Sequence, residues 1–121
     1  MGIAGTVATG LIGVLHVYIL VLEMFLWTAP RGRKTFRLTA EFAEQTKGLA
    51  ANQGLYNGFL AVGLFWALAH PVAEFATQLQ IFFLGCVVVA GAYGGLTANK
   101  RILYVQATPA AISLGLVLLG L

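Results

Sequence analysis

Charged residues and cysteines are scarce in this sequence. Only 9% of its 121 residues are charged, whereas soluble domains carry roughly 25%. Hydrophobic residues make up 60%, and a soluble fold of this size could not bury so much apolar surface. We therefore expect lipid to surround the chain. The single cysteine, Cys86, excludes an intramolecular disulfide and a multi-cysteine metal site.

The net charge of +3 does not indicate nucleic acid, because of where the basic residues fall. Phe36 is the one aromatic residue within the basic cluster 31–37, and a base-stacking surface requires more than one. Most lie in the first predicted connection, namely Arg31, Arg33, Lys34, Arg37 and Lys47. Lys100 and Arg101 lie in the third. Since this distribution orients membrane helices, we expect the lipid bilayer as a partner and no nucleic acid.

Four apolar stretches predict membrane-spanning helices. They cover residues 4–28, 49–69, 76–96 and 102–121. Each has about the 20 residues that a hydrocarbon core of ~30 Å requires, and helices satisfy their own backbone groups in lipid. The predicted fold class is therefore all-α: an integral membrane four-helix bundle forming one domain over residues 1–121. The second connection lacks Lys and Arg, which places connection 30–48 in the cytoplasm and both termini on the non-cytoplasmic side.

The first connection carries signals for helix ends. Pro30 and Gly32 are expected to break the first helix after Trp27. Thr39 can cap a new helix, with Glu41 in its first turn, where a carboxylate suits the helix dipole. We predict that this helix continues directly into the second span.

Glycines recur four residues apart in two of the predicted spans. Gly54 and Gly58 form one such pair, and Gly91 and Gly95 form another. This spacing lets helix backbones approach closely, either within the monomer or between subunits, and the sequence leaves both readings open. Because so small a protein has little interior of its own, we expect a homo-oligomer, a trimer or a dimer.

Glu23 is the only formally charged residue before Arg31, and it lies within the first predicted span. His16 precedes it by seven positions, so both side chains fall on one stripe of the helix. A carboxylate inside a membrane helix costs several kcal/mol unless it is paired, hydrated or protonated. It could anchor a cationic or amide-bearing ligand or accept a proton. Alternatively, it could fix helix packing by a hydrogen bond to Asn57, Tyr56 or Gln106.

Counting depth at ~1.5 Å per residue places the other polar side chains in one cytoplasmic layer, with His16 reaching toward the midplane. The predicted ligand-binding residues are His16, Glu23, Asn52, Gln53, Tyr56, Asn57, Tyr93 and Gln106. Glu23 and Tyr56 are the candidates for catalytic acid–base roles. The other half of the bilayer is nearly featureless, which favours a cytoplasm-facing pocket over a pore. No metal site is expected, because no third ligand lies near His16 and Glu23.

Four functions fit this layer. The pocket could bind a small amphipathic or lipophilic ligand. It could transfer a group to, or isomerise, a lipophilic substrate. It could belong to a proton-coupled small transporter in which Glu23 titrates. Finally, the chain could be a structural subunit whose polar layer sets helix packing. The sequence does not separate these functions, and it leaves the ligand, any enzyme activity and any cofactor unknown.

Three long strings resemble the bacterial family called domain of unknown function 1304. They are LHVYILVLEMFLWTAPRGRKTF, KGLAANQGLYNGFLAVGLFWAL and NKRILYVQATPA. The resemblance covers almost the whole chain. It implies a small, four-span, multi-pass protein of the bacterial inner (cytoplasmic) membrane, and it implies no activity.

A weaker likeness is to the membrane-associated eicosanoid and glutathione metabolism proteins. That superfamily has four spans and forms trimers, with glutathione bound between subunits near the cytoplasmic side. The positions here that could correspond to its second-span motif are Lys47, Ala51, Asn52, Phe59 and Leu60. The arginine of the motif is absent, and its acidic position falls near Leu55 or Tyr56. The likeness makes glutathione a cofactor candidate, and these departures from the motif weaken the case for glutathione binding.

Overall fold

In the computed structural model, residues 2–121 are described, and these residues contain helices and no β-strand. The all-α fold class is therefore confirmed. The helices are α1 (Ile3–Met24), α2 (Pro30–Phe36), α3 (Ala40–Ala69), α4 (Ala73–Thr97), a π-helical segment (Leu103–Ala107) and α5 (Thr108–Leu118). Two of them, α1 and α4, are long and apolar enough to cross a membrane by length and composition.

The chain divides into two compact units. The central unit is Val14–Ala61, and the terminal unit joins the residues up to Gly13 to Val62–Leu121. The boundaries fall inside α1 and α3, so each of these helices contributes to both units.

The connection in the central unit is more helical than expected. Helix α1 ends at Met24, short of the predicted end at residue 28, and the next five residues form bends and a turn. Pro30 then begins α2, because the first turn of a helix needs no N–H from that position. Arg37 ends α2 in a left-handed conformation (φ 56°). Pro30 therefore starts a helix within the segment 30–48, which was predicted as a connection.

Thr39 caps α3 as predicted. Its Oγ1 accepts a hydrogen bond from the backbone N–H of Phe42 at 3.1 Å, and Glu41 lies in the first turn. This bond satisfies one of the N–H groups that every helix start leaves without a partner. From there α3 runs without interruption to Ala69, so residues 40–48 and the predicted second span form one helix, as expected.

Trp27 ties the bends after α1 to both following helices. Its Nε1 donates a hydrogen bond to Thr46 Oγ1 of α3 at 3.0 Å. Its ring lies 4.8 Å, centroid to centroid, from the ring of Phe36 in α2. Gly32 of α2 is buried, and a Cβ there would overlap the carbonyl oxygen of Leu26. The indole is therefore held by a polar and an apolar contact.

Both glycine pairs pack against other helices of the same chain. In the central unit, a Cβ at Gly54 would lie 2.7 Å from Met24 Cγ, and one at Gly58 would lie 2.6 Å from Leu20 Cδ1. In the terminal unit, a Cβ at Gly91 would lie 2.7 Å from the backbone N of Ala107. The close approaches that these glycines permit are thus packing contacts within the monomer.

The π-helical segment precedes the proline of α5. Pro109 has no N–H to donate to the preceding turn. Thr108 instead directs two donors at the carbonyl oxygen of Leu103, its backbone N–H and, at 2.9 Å, its hydroxyl. A wider turn of this kind accommodates a helix whose regular hydrogen bonding is interrupted.

Helix α1 exposes large apolar side chains and buries several polar ones. Large apolar side chains form an exposed stripe along α1, where Ile3 is 85% and Leu11 64% exposed. Thr9, His16 and Glu23 of the same helix are buried, and seven positions separate each from the next. In the terminal unit, Gln80 Nε2 donates a 3.0 Å hydrogen bond to Thr9 Oγ1, and both residues are fully buried.

Candidate functional site

Glu23 is a buried carboxylate next to the last residue of α1. Its side chain is 8% exposed, and its Oε1 accepts a hydrogen bond of 2.6 Å from Asn57 Nδ2 of α3. Asn57 is one of the three partners that the sequence allowed. The bond holds the end of α1 against α3, and Gly54, one turn earlier on α3, lets the backbones approach.

No basic side chain among residues 2–121 forms an ion pair with Glu23. The ion pair in this region joins Lys47 to Glu44, three positions apart on α3. Both of these side chains are about 60% exposed, at 60% and 62% respectively. The Lys47 ammonium therefore already has a carboxylate partner, whereas the Glu23 carboxylate has a neutral amide.

A cavity of about 290 Å³ opens beside Glu23, within the central unit. This volume is near the lower end of the ~300–1,000 Å³ typical of small-molecule pockets. Its walls come from the end of α1, the bends that follow it and the first half of α3. The lining residues are Glu23, Met24, Phe25, Trp27, Thr28, Lys47, Gly48 and Ala51.

The local fold sets the shape of this cavity. Helix α1 ends at Met24. The residues that follow therefore leave the helix, and a wall beside α3 is formed by Phe25, Trp27 and Thr28. Trp27 is fixed by its hydrogen bond to Thr46 and by the ring of Phe36. On α3, Gly48 and Ala51 are small and leave space.

One of the eight predicted ligand-binding residues, Glu23, lines the cavity. Asn57 reaches this site through its hydrogen bond to Glu23. His16 is buried on the same stripe of α1, about two turns earlier. Asn52, Gln53 and Tyr56 are exposed on α3, and Tyr56 packs edge-on against Phe59 at 5.7 Å.

The other two predicted residues belong to the terminal unit. Tyr93 of α4 is 72% exposed, and Gln106 of the π-helical segment is partly exposed. The two candidate catalytic residues lie in different environments. Glu23 is buried at the cavity, whereas Tyr56 is 60% exposed.

Several lining residues were not among those predicted. The prediction counted polar side chains by depth, and it therefore passed over Met24, Phe25 and Gly48. Trp27 was considered as the end of the first helix, and Lys47 as part of the basic connection and of the glutathione-type motif. A usable signal was present in the neighbouring small residues Gly48 and Ala51, which lie three positions apart on one face of α3.

The arrangement offers one acidic group beside apolar and aromatic side chains, with Thr28 and Lys47 as further polar lining. The lining holds no second carboxylate, no histidine and no cysteine. A lone carboxylate beside an aromatic wall can hold a cation, accept a hydrogen bond donor or exchange a proton.

Comparison with known proteins gives a family and one curated relative. Residues 10–118 match the family described as Protein of unknown function (DUF1304). The chain is also similar to a protein of Lactococcus lactis subsp. lactis (strain IL1403), described as Uncharacterized protein YpaA. The two are 30% identical over 99 residues, which cover 80% of this chain and 82% of the relative. No solved structure matches the chain.

Proposed function

This chain belongs to the DUF1304 family of proteins of unknown function. We propose that it is an integral membrane protein that binds a small amphipathic or lipophilic ligand in the cavity beside Glu23, the Glu23 cavity. One observation carries the proposal. The buried carboxylate of Glu23, held by Asn57 and without a basic partner among residues 2–121, lines a cavity of about 290 Å³.

A bilayer as the surrounding solvent is supported by the exposed surface of the helices. In water, large apolar side chains at 55–85% exposure along α1 would be unfavourable by roughly 25 cal/mol per Å² of apolar area. The buried positions, by contrast, include the polar residues Thr9, His16, Glu23, Gln80 and Ser113. Against hydrocarbon this distribution is favourable, because polar groups find partners inside the protein.

We propose that four segments cross the membrane. Helices α1 and α4 have the required length and hydropathy. Helix α3 has 30 residues, about 45 Å at ~1.5 Å per residue, so its apolar part from residue 49 can also cross. The π-helical segment and α5 together would form the fourth span. The basic first and third connections then face the cytoplasm, with both termini on the other side of the bacterial inner membrane.

We also propose that the protein is a homo-oligomer (a dimer or a trimer), because α3 exposes polar side chains in its apolar part. Asn52 and Gln53 are exposed on the single chain, within the apolar part of this helix. Side-chain amides facing hydrocarbon are costly, and hydrogen bonds between helices of neighbouring subunits would satisfy them.

Native mass spectrometry of protein released gently from membranes tests the ligand. We expect a discrete bound mass on the wild type that is lost in Glu23→Gln. Glu41→Gln is the matched control, because it removes the same charge from an exposed position on α3. A bound mass on the wild type and control alone supports the proposal, and it gives the subunit count as well.

The same measurement can contradict the proposal. If all three proteins release as clean apo oligomers, the hydrogen bond between Glu23 and Asn57 serves helix packing, and the chain is a structural subunit. This second function is favoured by one observation, the 2.6 Å bond that already satisfies one oxygen of the carboxylate. It predicts a change in thermal stability for Glu23→Gln and no change in bound mass.

A further inference from the structure

We infer that the occupant of the Glu23 cavity is an amphipathic cation, an ammonium group carried on an apolar body. The inference rests on the proposed function, since it names the class of ligand that the same cavity would take. Two features carry it: the sign of the ionisable group that has no ionic partner, and the aromatic and apolar wall.

The ionisable group of the cavity that has no ionic partner is acidic. Lys47 and Glu44 form an ion pair with each other and, being largely exposed, are also solvated. Glu23 is buried, and the hydrogen bond that it accepts comes from a neutral amide. A carboxylate removed from water is stabilised most by an opposite charge, and residues 2–121 supply Glu23 with none. A cationic ligand would supply that charge.

The wall of the cavity suits the same ligand. Tryptophan is the aromatic residue type that attracts cations most strongly. Trp27 is held in place here by its contacts with Thr46 and Phe36. A wall that is already fixed loses little freedom on binding. Phe25 and Met24 add apolar surface for the body of the ligand.

Other ligand classes fit these residues less well. An anion could contact Lys47, but it would share the cavity with a buried carboxylate of the same sign. A neutral lipid would cover Glu23 without supplying an opposite charge, which is unfavourable for a buried carboxylate. A metal ion would find one carboxylate where stable sites use three or more protein ligands.

Two probes of nearly the same shape test the inference: benzyltrimethylammonium and its uncharged carbon isostere, neopentylbenzene. The protein carries Trp66→Phe, which leaves Trp27 as its one tryptophan and as a fluorescent reporter in the cavity wall. Each probe is titrated into the protein in lipid nanodiscs, and the change in Trp27 emission is recorded. Glu23→Gln and the exposed control Glu41→Gln are measured in the same background.

We expect the cation to bind at least about tenfold more tightly than the isostere, with this preference lost in Glu23→Gln and kept in Glu41→Gln. Equal affinity for the two probes in the wild-type cavity would overturn the inference, and this comparison needs no variant at Glu23. Loss of cation binding in Lys47→Gln but not in Glu23→Gln would also overturn it. If native mass spectrometry shows a bound mass that depends on Glu23 while the cation does not bind, the cation class fails and the proposed function stands.

Discussion

A single hydrogen bond decides how Glu23 lies in this molecule. Depth along the helices allowed Asn57, Tyr56 or Gln106 as its partner, and the structure gives Asn57. Tyr56 and Asn57 lie at nearly the same depth, but ~100° of rotation about the helix axis separates neighbouring residues. The rotation puts Asn57 against α1 and leaves Tyr56 60% exposed. Polarity and depth do not report this angle.

Replacing Asn57 should cost more than replacing Glu23. Asn57→Ala leaves a buried carboxylate without its donor, which we expect to destabilise the protein by about 1–3 kcal/mol. Glu23→Gln keeps an oxygen that can accept the bond, so its cost should be smaller. Unfolding in detergent measures both, and the double variant should show a coupling of about 0.5–3 kcal/mol.

The control for this comparison is Gln45→Ala, an exposed amide on the same helix. Gln45 precedes the apolar part of α3 that is proposed to meet other subunits, so its effect should stay within about 0.5 kcal/mol. Equal losses of stability for Asn57→Ala and Gln45→Ala would show that the bond to Glu23 contributes nothing.

At the scale of elements, the sequence predicted a helix start correctly where a single residue determines it. Thr39 caps α3 because its hydroxyl meets an N–H three residues ahead, a contact fixed by sequence alone. Pro30 was read as a helix breaker, yet it also begins α2, because a proline is tolerated in the first turn of a helix. The π-helical segment was not predicted, since Pro109 signals an interruption but not how the turn before it widens.

The glycines of α4 should differ sharply in their tolerance of a methyl group. A Cβ at Gly91 would lie 2.7 Å from the backbone N of Ala107, and backbone cannot move aside as a flexible side chain can. We expect Gly91→Ala to cost about 1–3 kcal/mol. Gly85→Ala, with no atom within 4 Å of its Cβ, should be neutral or stabilising by up to about 1 kcal/mol.

Thermal unfolding of the two alanine variants in the same detergent is the measurement. If Gly91→Ala melts with the wild type while its oligomeric state changes, the glycine pair would serve a subunit interface rather than the packing within the monomer. A lower melting temperature with an unchanged subunit count would agree with the contacts in the terminal unit.

For the molecule as a whole, composition predicted the all-α class because 60% apolar residues in so short a chain leave few alternatives. The cavity was less predictable. Its lining combines Trp27 and Lys47, which are 20 positions apart, with small residues whose value lies in the space they leave. Gln80 was also passed over, because its partner Thr9 lies 71 positions away. Such contacts depend on how helices pack, and no local pattern encodes them.

The proposed topology predicts which cysteines a membrane-impermeant maleimide can reach. With Cys86→Ala as the background, single cysteines replace Ala40, Val72 and Ala98, which are exposed residues outside the proposed spans. In spheroplasts, the Val72→Cys variant should react at once. The Ala40→Cys and Ala98→Cys variants should react only after permeabilisation, since basic connections stay in the cytoplasm.

Labelling all three after denaturation controls for the intrinsic reactivity of each cysteine. Reaction of the Ala98→Cys variant in intact spheroplasts would contradict four spans, because an even number of crossings separates it from Ala40 in the proposed topology. Protection of the Val72→Cys variant would contradict the second crossing.

The separation between Glu23 and Asn57 has a consequence for biosynthesis. The two residues are 34 positions apart, so at ~5–20 residues per second the carboxylate leaves the ribosome about 2–7 s before its amide partner. During that delay α1 carries Glu23 with nothing of this chain to receive it. In the proposed membrane setting, α1 would wait in the aqueous or protein-lined passage of the insertion machinery and move into lipid together with α3. Gln80, made later still, would find Thr9 already in place.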